Sequence, residues 1–356
     1  MSTQRAMHTP AMFAQYSIVR LTAPMFFASA AELDAFAAHG LPVTVVERED
    51  PDALIPLVAG ADIVALVGTR LPARVIEAMP RCRAIARMGA GTDKIDVARA
   101  TELGIVVANT PYFCVEEQAD HAMAMLLSLA RKLTVAGRAM AEGDLARARR
   151  AIATNRRVSA STLGLVGFGR SAVHMARRAR GFGMRVLATR NNKQASSDEA
   201  DALGVTMTDL DTVLRESEYV SLHLPLNAAT YHMIDSAALD RMRPGACLIN
   251  TSRGALVDEQ ALIAALRHGR LGGAGLDTFE RINVFADRIP PCLHELTDLE
   301  NVILTPHVAA GSVQATEDMR TTAIENIEDL LCGRWPRAEN IVNPTVTPRF
   351  PLAARG

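Results

Sequence analysis

The feature that most narrows the fold is a glycine-bearing turn set between a strand-like run and a helix-like one: Leu163-Gly164-Leu165-Val166-Gly167-Phe168-Gly169-Arg170-Ser171-Ala172. Its spacing is G-x-G-x-x-A. Gly167 permits a tight turn, Gly169 lets the backbone come close to a pyrophosphate, and Ala172 is small enough for the helix to pack on the strand. The first N–H groups of the helix, at the positive end of its dipole, then face the anion. A second strand ending at Ala188 completes the setting in which this pattern predicts a dinucleotide site.

Short apolar runs alternate with amphipathic stretches along almost the whole chain, the pattern of a mostly parallel sheet covered by helices. Ser17–Leu21, Thr44–Val46, Ile63–Val67, Ile85–Met88 and Ile105–Ala108 read as strands, and Ala31–His39 as a helix that stops at Gly40. A long helix is predicted from Glu116 to about Arg138. A second series runs through Thr162–Val166, Arg185–Ala188, Tyr219–Leu222, Ala246–Asn250, Gly273–Asp277 and Val302–Thr305, followed by a helix over Ser312–Leu331. The proline-bearing stretch from Pro336 to Pro351 reads as irregular. The expected class is α/β, with two doubly wound, Rossmann-like parallel-sheet domains, and 356 residues are enough for both.

Composition excludes several functions. With 38 Lys+Arg against 39 Asp+Glu, a general nucleic-acid binder is not expected. Arg147, Arg149, Arg150, Arg156 and Arg157 lack interleaved aromatics and read as a solvated helix end and loop. Five widely spaced cysteines (82, 114, 247, 292 and 332) form neither a disulfide framework nor a zinc ligand set, so no metal and a reducing cytoplasm are expected. The apolar stretch Ala122–Ala130 is too short to span a membrane, and no apolar signal core follows Arg5.

The end of the second strand of the glycine motif is where a ribose is read. An acid about twenty residues past the glycines would accept the ribose hydroxyls. Here the chain runs Ala188-Thr189-Arg190-Asn191-Asn192-Lys193, with no acid before Asp198. Arg190, with Asn191 or Lys193, suits a 2′-phosphate instead, so NADP is expected, with NAD as the alternative.

Further segments stand in order along the chain: Gly89-Ala90-Gly91-Thr92-Asp93, Glu117-Gln118-Ala119-Asp120-His121, Ser221-Leu222-His223-Leu224-Pro225, Asn250-Thr251-Ser252-Arg253-Gly254, Gly275-Leu276-Asp277 and Thr305-Pro306-His307. With the glycine turn, they make residues from about 60 to 331 resemble the D-isomer-specific 2-hydroxyacid dehydrogenase family. The resemblance implies a discontinuous substrate domain (1–112 with 312–345), a dinucleotide domain (113–311), a tail (346–356) and a cleft between the domains. It also implies a homodimer and a small 2-hydroxy or 2-keto acid as substrate.

Hydride transfer at C2 of such an acid needs a cation to orient carboxylate and carbonyl, and a group to exchange the hydroxyl proton. The resemblance gives these roles to Arg253 and His307. It places Ala90 and Gly91 at the substrate carboxylate. Gly167, Phe168, Gly169, Arg170, Ser171, Arg190, His223, Leu224, Pro225, Thr251, Ser252, Asp277, His307 and Ala309 would line the cofactor. His121, His174 and His294 read as structural or exposed.

One departure stands out. Keto-acid-reducing members carry a Glu five residues after the Asp that matches Asp277, and here that residue is Ile282. Glu280 is two residues short of the position, and only a loop rearrangement would bring it or Glu295 to His307. The expected outcome is a modest reductase whose rate falls as pH rises, because a neighbouring carboxylate would favour the imidazolium. Formate dehydrogenases place a Gln at that position, and phosphite dehydrogenases a Lys where this chain has Ala90, so neither reaction is expected. The segment from Asp277 to His307, with Asn283-Val284-Phe285 and Pro290-Pro291, is long for the family. The alternative function is a dinucleotide-sensing interaction protein resembling the C-terminal binding proteins, with weak or no turnover.

Overall fold

The computed structural model describes residues 12–22, 27–192, 194–282 and 294–353. The chain divides into two compact units, Met1–Phe113 with Ser312–Gly356, and Cys114–Gly311. The first begins with β1 (Ile18–Thr22), α1 (Ala30–Ala38), β2 (Val43–Glu47), α2 (Pro51–Val58), β3 (Ile63–Leu66), α3 (Ala73–Glu77), β4 (Ala84–Arg87), α4 (Val97–Glu102) and β5 (Val106–Ala108). Its strands pair in parallel in the order β2-β1-β3-β4-β5. Every residue of β1 and β3 is buried, as strands covered on both faces must be. The one cation among them, Arg20, sets its Nε 2.6 Å from Glu32 Oε1 on α1, which meets the requirement that a buried charge be paired.

The second unit opens with α5 (Val115–Arg131), α6 (Leu133–Ala141) and α7 (Leu145–Ile152). The single helix expected from Glu116 to about Arg138 is therefore two, broken at Lys132, which has φ 53° and ψ 41°. Its N–H closes α5 on the carbonyls of Leu129 and Ser128, a left-handed stop that usually falls to glycine. Of the Arg-rich stretch, Arg147, Arg149 and Arg150 lie on α7, capped by Asp144, and Arg156 and Arg157 follow it; Arg147 pairs with Glu142 and Glu300 on the surface.

There follow β6 (Thr162–Val166), α8 (Arg170–Gly181), β7 (Arg185–Thr189), α9 (Asp198–Ala202), β8 (Val205–Met207), α10 (Leu210–Glu216) and β9 (Tyr219–Leu222). The unit continues with α11 (Ser236–Arg241), β10 (Cys247–Asn250), α12 (Glu259–Arg267), β11 (Gly273–Leu276), α13 (His294–Thr297) and β12 (Val302–Leu304). All seven strands are parallel, in the order β12-β11-β10-β9-β6-β7-β8. The order reverses between β6 and β9, and in such sheets the crevice beyond the carboxyl ends at the reversal takes the ligand. β8, an edge strand with only Val205 buried, is absent from the sequence-based reading because Thr206 interrupts the apolar run that marks the other strands.

The last helix, α14 (Val313–Leu331), returns to the first unit. Its Ala323, Ile324, Ile327 and Leu330 share one core with Ile63, Ala65, Ala84, Ala86, Val106 and Ala108 of the five-stranded sheet. Beyond it the chain closes the open edge of β5. Val342 N donates to Val107 O at 2.9 Å, and Asn343 Oδ1 accepts from Val107 N at 2.8 Å. Residues 346–353, expected as a tail apart from both domains, pack here too. Val346 and Leu352 join the apolar core, and Arg349 Nε donates to Leu103 O at 2.7 Å. No helix of the described residues is long and apolar enough to cross a membrane.

Candidate active site

The seven-stranded sheet gathers most of the candidate residues. Gly167 follows β6, Arg190 follows β7, His223 follows β9, Arg253 follows β10, Asp277 follows β11 and His307 follows β12. Because the strands are parallel, all six positions lie beyond carboxyl ends of one sheet.

At the reversal point, Gly167 has φ 93°, and a Cβ there would collide with the carbonyl of His223, so no other residue fits. Gly169 sits at the N-cap of α8, where no side chain caps the first turn and the space beside its Cα is open. Helix N–H groups facing open space suit a pyrophosphate, and the residues present fit a dinucleotide. Ala172 is fully buried against the strand, while Phe168 packs at the edge of the core and Arg170 starts the helix exposed.

His223 is buried just beyond β9. Its Nδ1 lies 3.1 Å from Ser171 Oγ and its Nε2 2.9 Å from Ser221 Oγ. The ring thereby ties the glycine-turn helix to β9, and burial pushes its pKa down to about 4. Leu224 and Pro225 continue outward from it, half-buried and exposed.

The loop after β10 is locked from several sides. Asn250 Nδ2 donates to Arg253 O at 2.8 Å, Asn250 Oδ1 accepts from Ser252 N at 3.0 Å, and Ser252 Oγ donates to Leu222 O at 2.7 Å. Gln118 Nε2 of α5 donates to Thr251 O at 2.8 Å. A Cβ on Gly254 would overlap the backbone of Phe279 and Glu280, so glycine lets this loop lie against the turn after β11. Arg253, half-buried, leaves the loop with Nη1 on Ser252 O at 2.8 Å.

Asp277 organises the last loop. Its buried carboxylate accepts from Thr305 Oγ1 at 2.6 Å, Val308 N at 2.9 Å and Ala309 N at 3.0 Å. His307 N donates to Asp277 O at 2.9 Å, and its φ is 57°. A β-carbon residue held in the left-handed region costs about 1–3 kcal/mol and persists only where the surroundings over-determine it. Here the Asp277 carboxylate does so, fixing the half-buried His307 at the tip of a turn wound around it.

Other candidates stand elsewhere. Glu280 bonds His232 Nε2 at 2.7 Å and Tyr231 OH at 3.2 Å, and Glu295 pairs with Arg267 Nη1 at 2.9 Å. Ile282 packs on the apolar core. Arg190 turns its Nη2 onto the carbonyls of Ala195 and Ser196, the latter at 2.8 Å. In the first unit, Asn109 Nδ2 holds Ala90 O at 2.7 Å and Arg87 Nε holds Gly91 O at 2.8 Å. Lys193 and the segments 283–285 and 290–291 lie outside the described residues, as does the side chain of His294. Burial pushes the Cys82 and Cys247 thiols up to about 12, which disqualifies both as nucleophiles.

Two residues were given no part in the site by the sequence reading. Gln118 and His121 stand one turn apart on α5 and reach the loops of Arg253 and His307 respectively. The available signal was a polar i, i+3 pair on a helix otherwise rich in Ala, Met and Leu.

A family profile described as "D-isomer specific 2-hydroxyacid dehydrogenase, NAD binding domain" matches residues 123–309. The chain is 40% identical over 319 residues to a glyoxylate reductase of Korarchaeum cryptofilum, covering 88% of this chain and 90% of that protein. It is 36% identical over 293 residues to a glyoxylate reductase of Thermococcus litoralis, covering 81% and 85%. Among solved structures, a D-lactate dehydrogenase from Aquifex aeolicus complexed with NAD and lactic acid superposes with a TM-score of 0.82 at 26% identity, over 91% of this chain and 98% of that one. An acyclic imino acid reductase in complex with NADPH and D-Arg gives 0.77 at 27% identity, over 92% and 99%.

Proposed function

The chain belongs to the D-isomer specific 2-hydroxyacid dehydrogenase family, and from that premise we propose that Arg253 orients a small 2-keto or 2-hydroxy acid while His307 exchanges its hydroxyl proton. The enzyme is an NAD(P)-dependent oxidoreductase acting at C2 of such acids. The likeness to reductases and dehydrogenases over more than four-fifths of the chain favours turnover over dinucleotide sensing alone. The observation that carries the reading is the turn after β12, where Asp277 holds His307 in a left-handed conformation beyond the carboxyl ends of the sheet.

The bound dinucleotide supplies or accepts the hydride. Gly167, Gly169 and the first turn of α8 would hold its pyrophosphate, with Thr251, Ser252, Asp277 and Ala309 along the nicotinamide side. In the reductive direction the His307 imidazolium gives its proton to the carbonyl oxygen of C2. In the oxidative direction the neutral ring takes the hydroxyl proton. The Arg253 fork pairs with carboxylate and carbonyl oxygens together, fixing which face of C2 is presented. Ala90 and Gly91 offer backbone N–H groups as a seat for a carboxylate.

Three finer points belong to the same reading. Arg190 stands just beyond β7, where an acid would read the ribose hydroxyls, and would favour NADP by exchanging the carbonyls of Ala195 and Ser196 for a 2′-phosphate. The exposed apolar side chains of α6 and α7 support a homodimer. Cysteine usage supports a cytoplasmic location. Glyoxylate, from the names of the relatives, is the first substrate to try.

Titration with NADPH and NADH, then a scan of glyoxylate, hydroxypyruvate, pyruvate and bulkier 2-keto acids, tests the proposal. Turnover of at least one acid is expected, and Arg190→Ala should weaken NADPH binding more than NADH. Cofactor binding with no turnover of any acid would sink it.

A further inference from the structure

His121 has no place in the chemistry just described, yet it is wired to it. Its Nε2 lies 2.9 Å from Thr305 Oγ1 and 3.7 Å from Asp277 Oδ1. Thr305 Oγ1 itself stands 2.6 Å from Asp277 Oδ1. A carboxylate at that distance only accepts, so the threonine hydroxyl donates its single proton to Asp277. The hydroxyl then has only lone pairs to offer His121, and the imidazole must present an N–H at Nε2. The chain of donors therefore runs in one direction, from His121 through Thr305 to Asp277. The same carboxylate takes the N–H groups of Val308 and Ala309, the two residues after His307.

We infer that His121 is a positioning residue for proton transfer: through Thr305 it fixes the orientation of the Asp277 carboxylate, and through that carboxylate the turn that presents His307. This rests on His307 being the proton-transfer group. α5 is the helix that can do this because it packs on β10 and β11, and its seventeen residues give the loop beyond β12 a rigid reference. Without the His121 donor, the Thr305 hydroxyl is free to rotate away from Asp277, and one of the carboxylate's three described donors is lost. The left-handed backbone of His307 then has less to hold it.

The test compares His121→Leu with His121→Gln, whose side-chain amide can place an N–H close to where the histidine Nε2–H stands, on the full-length enzyme turning over a 2-keto acid. His121→Leu should lower kcat about 10- to 100-fold, the range expected from a displaced catalytic group. KM should stay within about twofold of wild type, since Arg253 is untouched, and the dissociation constant for NADPH should change less than kcat, since the glycine turn is untouched and only the Asp277 end along the nicotinamide side shifts. His121→Gln should recover most of the lost kcat. Thr305→Val should lower kcat similarly, and adding His121→Leu to it should cost little more, because both break the same chain. Wild-type kcat in His121→Leu would overturn the inference, as would equal losses in the Leu and Gln variants or fully additive losses in the double variant. Absence of turnover in the wild-type enzyme would instead overturn the function proposed for the site. An unchanged thermal midpoint in the variants distinguishes mispositioning from misfolding.

Discussion

His223 and His121 show how differently two histidines of one unit are used. His223 is enclosed between two serine hydroxyls, and burial holds its pKa near 4 against an ordinary 6.5. In the unfolded chain it takes a proton below about pH 6.5, and in the folded protein only below about pH 4. Between those values the unfolded state binds more protons, so stability falls as pH falls through the window and levels off for this group beneath it. The full contribution is on the order of 3 kcal/mol. Urea unfolding of wild type and His223→Gln at about pH 7 and pH 4.5 should show a steeper acid loss in wild type. Parallel losses would contradict the assignment of a buried, neutral ring.

Much of the framework of the candidate site was legible at this scale, and the reasons are physical. The glycine turn and Arg253-Gly254 announce themselves because backbone approach and steric overlap allow so few residues there. His121 was not legible. A lone histidine on a helix of small apolar residues looks like surface, and only the fold brings Thr305 to it across 184 positions of sequence. The inward use of the His223 ring was hidden for the same reason, since Ser171 lies 52 residues away.

Among the elements, strands with four or five buried residues were readable from their apolar runs, and the helices between them from their spacing. The misreadings have local causes. Lys132 carries no intrinsic preference for a left-handed backbone, so nothing in its identity marks the end of α5. Residues 346–353 lack periodicity because they pack as irregular chain, through backbone and guanidinium hydrogen bonds. The same region of α5 to α7 bears a prediction. Leu133, Met140, Leu145 and Ile152 are 59%, 54%, 51% and 42% exposed, too much apolar surface on two short helices to face water without purpose. Light scattering should give about twice the 38.3 kDa chain mass, and Met140→Asp with Leu145→Asp should shift the protein to monomer while cofactor affinity persists. A monomeric wild type, or an undisturbed dimer in the double variant, would place that surface outside the interface.

For the molecule as a whole, two parallel sheets with different strand orders divide the work. The seven-stranded one carries, beyond the carboxyl ends of β6, β10 and β12, Gly167, Arg253 and His307, the residues proposed for the pyrophosphate, the substrate and proton transfer, an order visible in the motifs along the chain. Ile282, where keto-acid-reducing relatives have a carboxylate, packs half-buried against the apolar core, and Glu280 and Glu295 are committed to His232 and Arg267. The turn built on Asp277 is thus the described framework around His307. The most direct measurement is the steady-state rate of NADPH-dependent glyoxylate reduction by wild type and His307→Gln as pH is raised from about 6 to 8.5. Wild type should reduce the acid at a rate that falls as pH rises, and His307→Gln should lose about 10²- to 10⁴-fold in kcat while still binding NADPH. A His307→Gln enzyme that matches wild type would contradict the assignment of proton transfer to His307, and a wild-type rate that stays flat across that range, with chemistry rate-limiting, would contradict it equally.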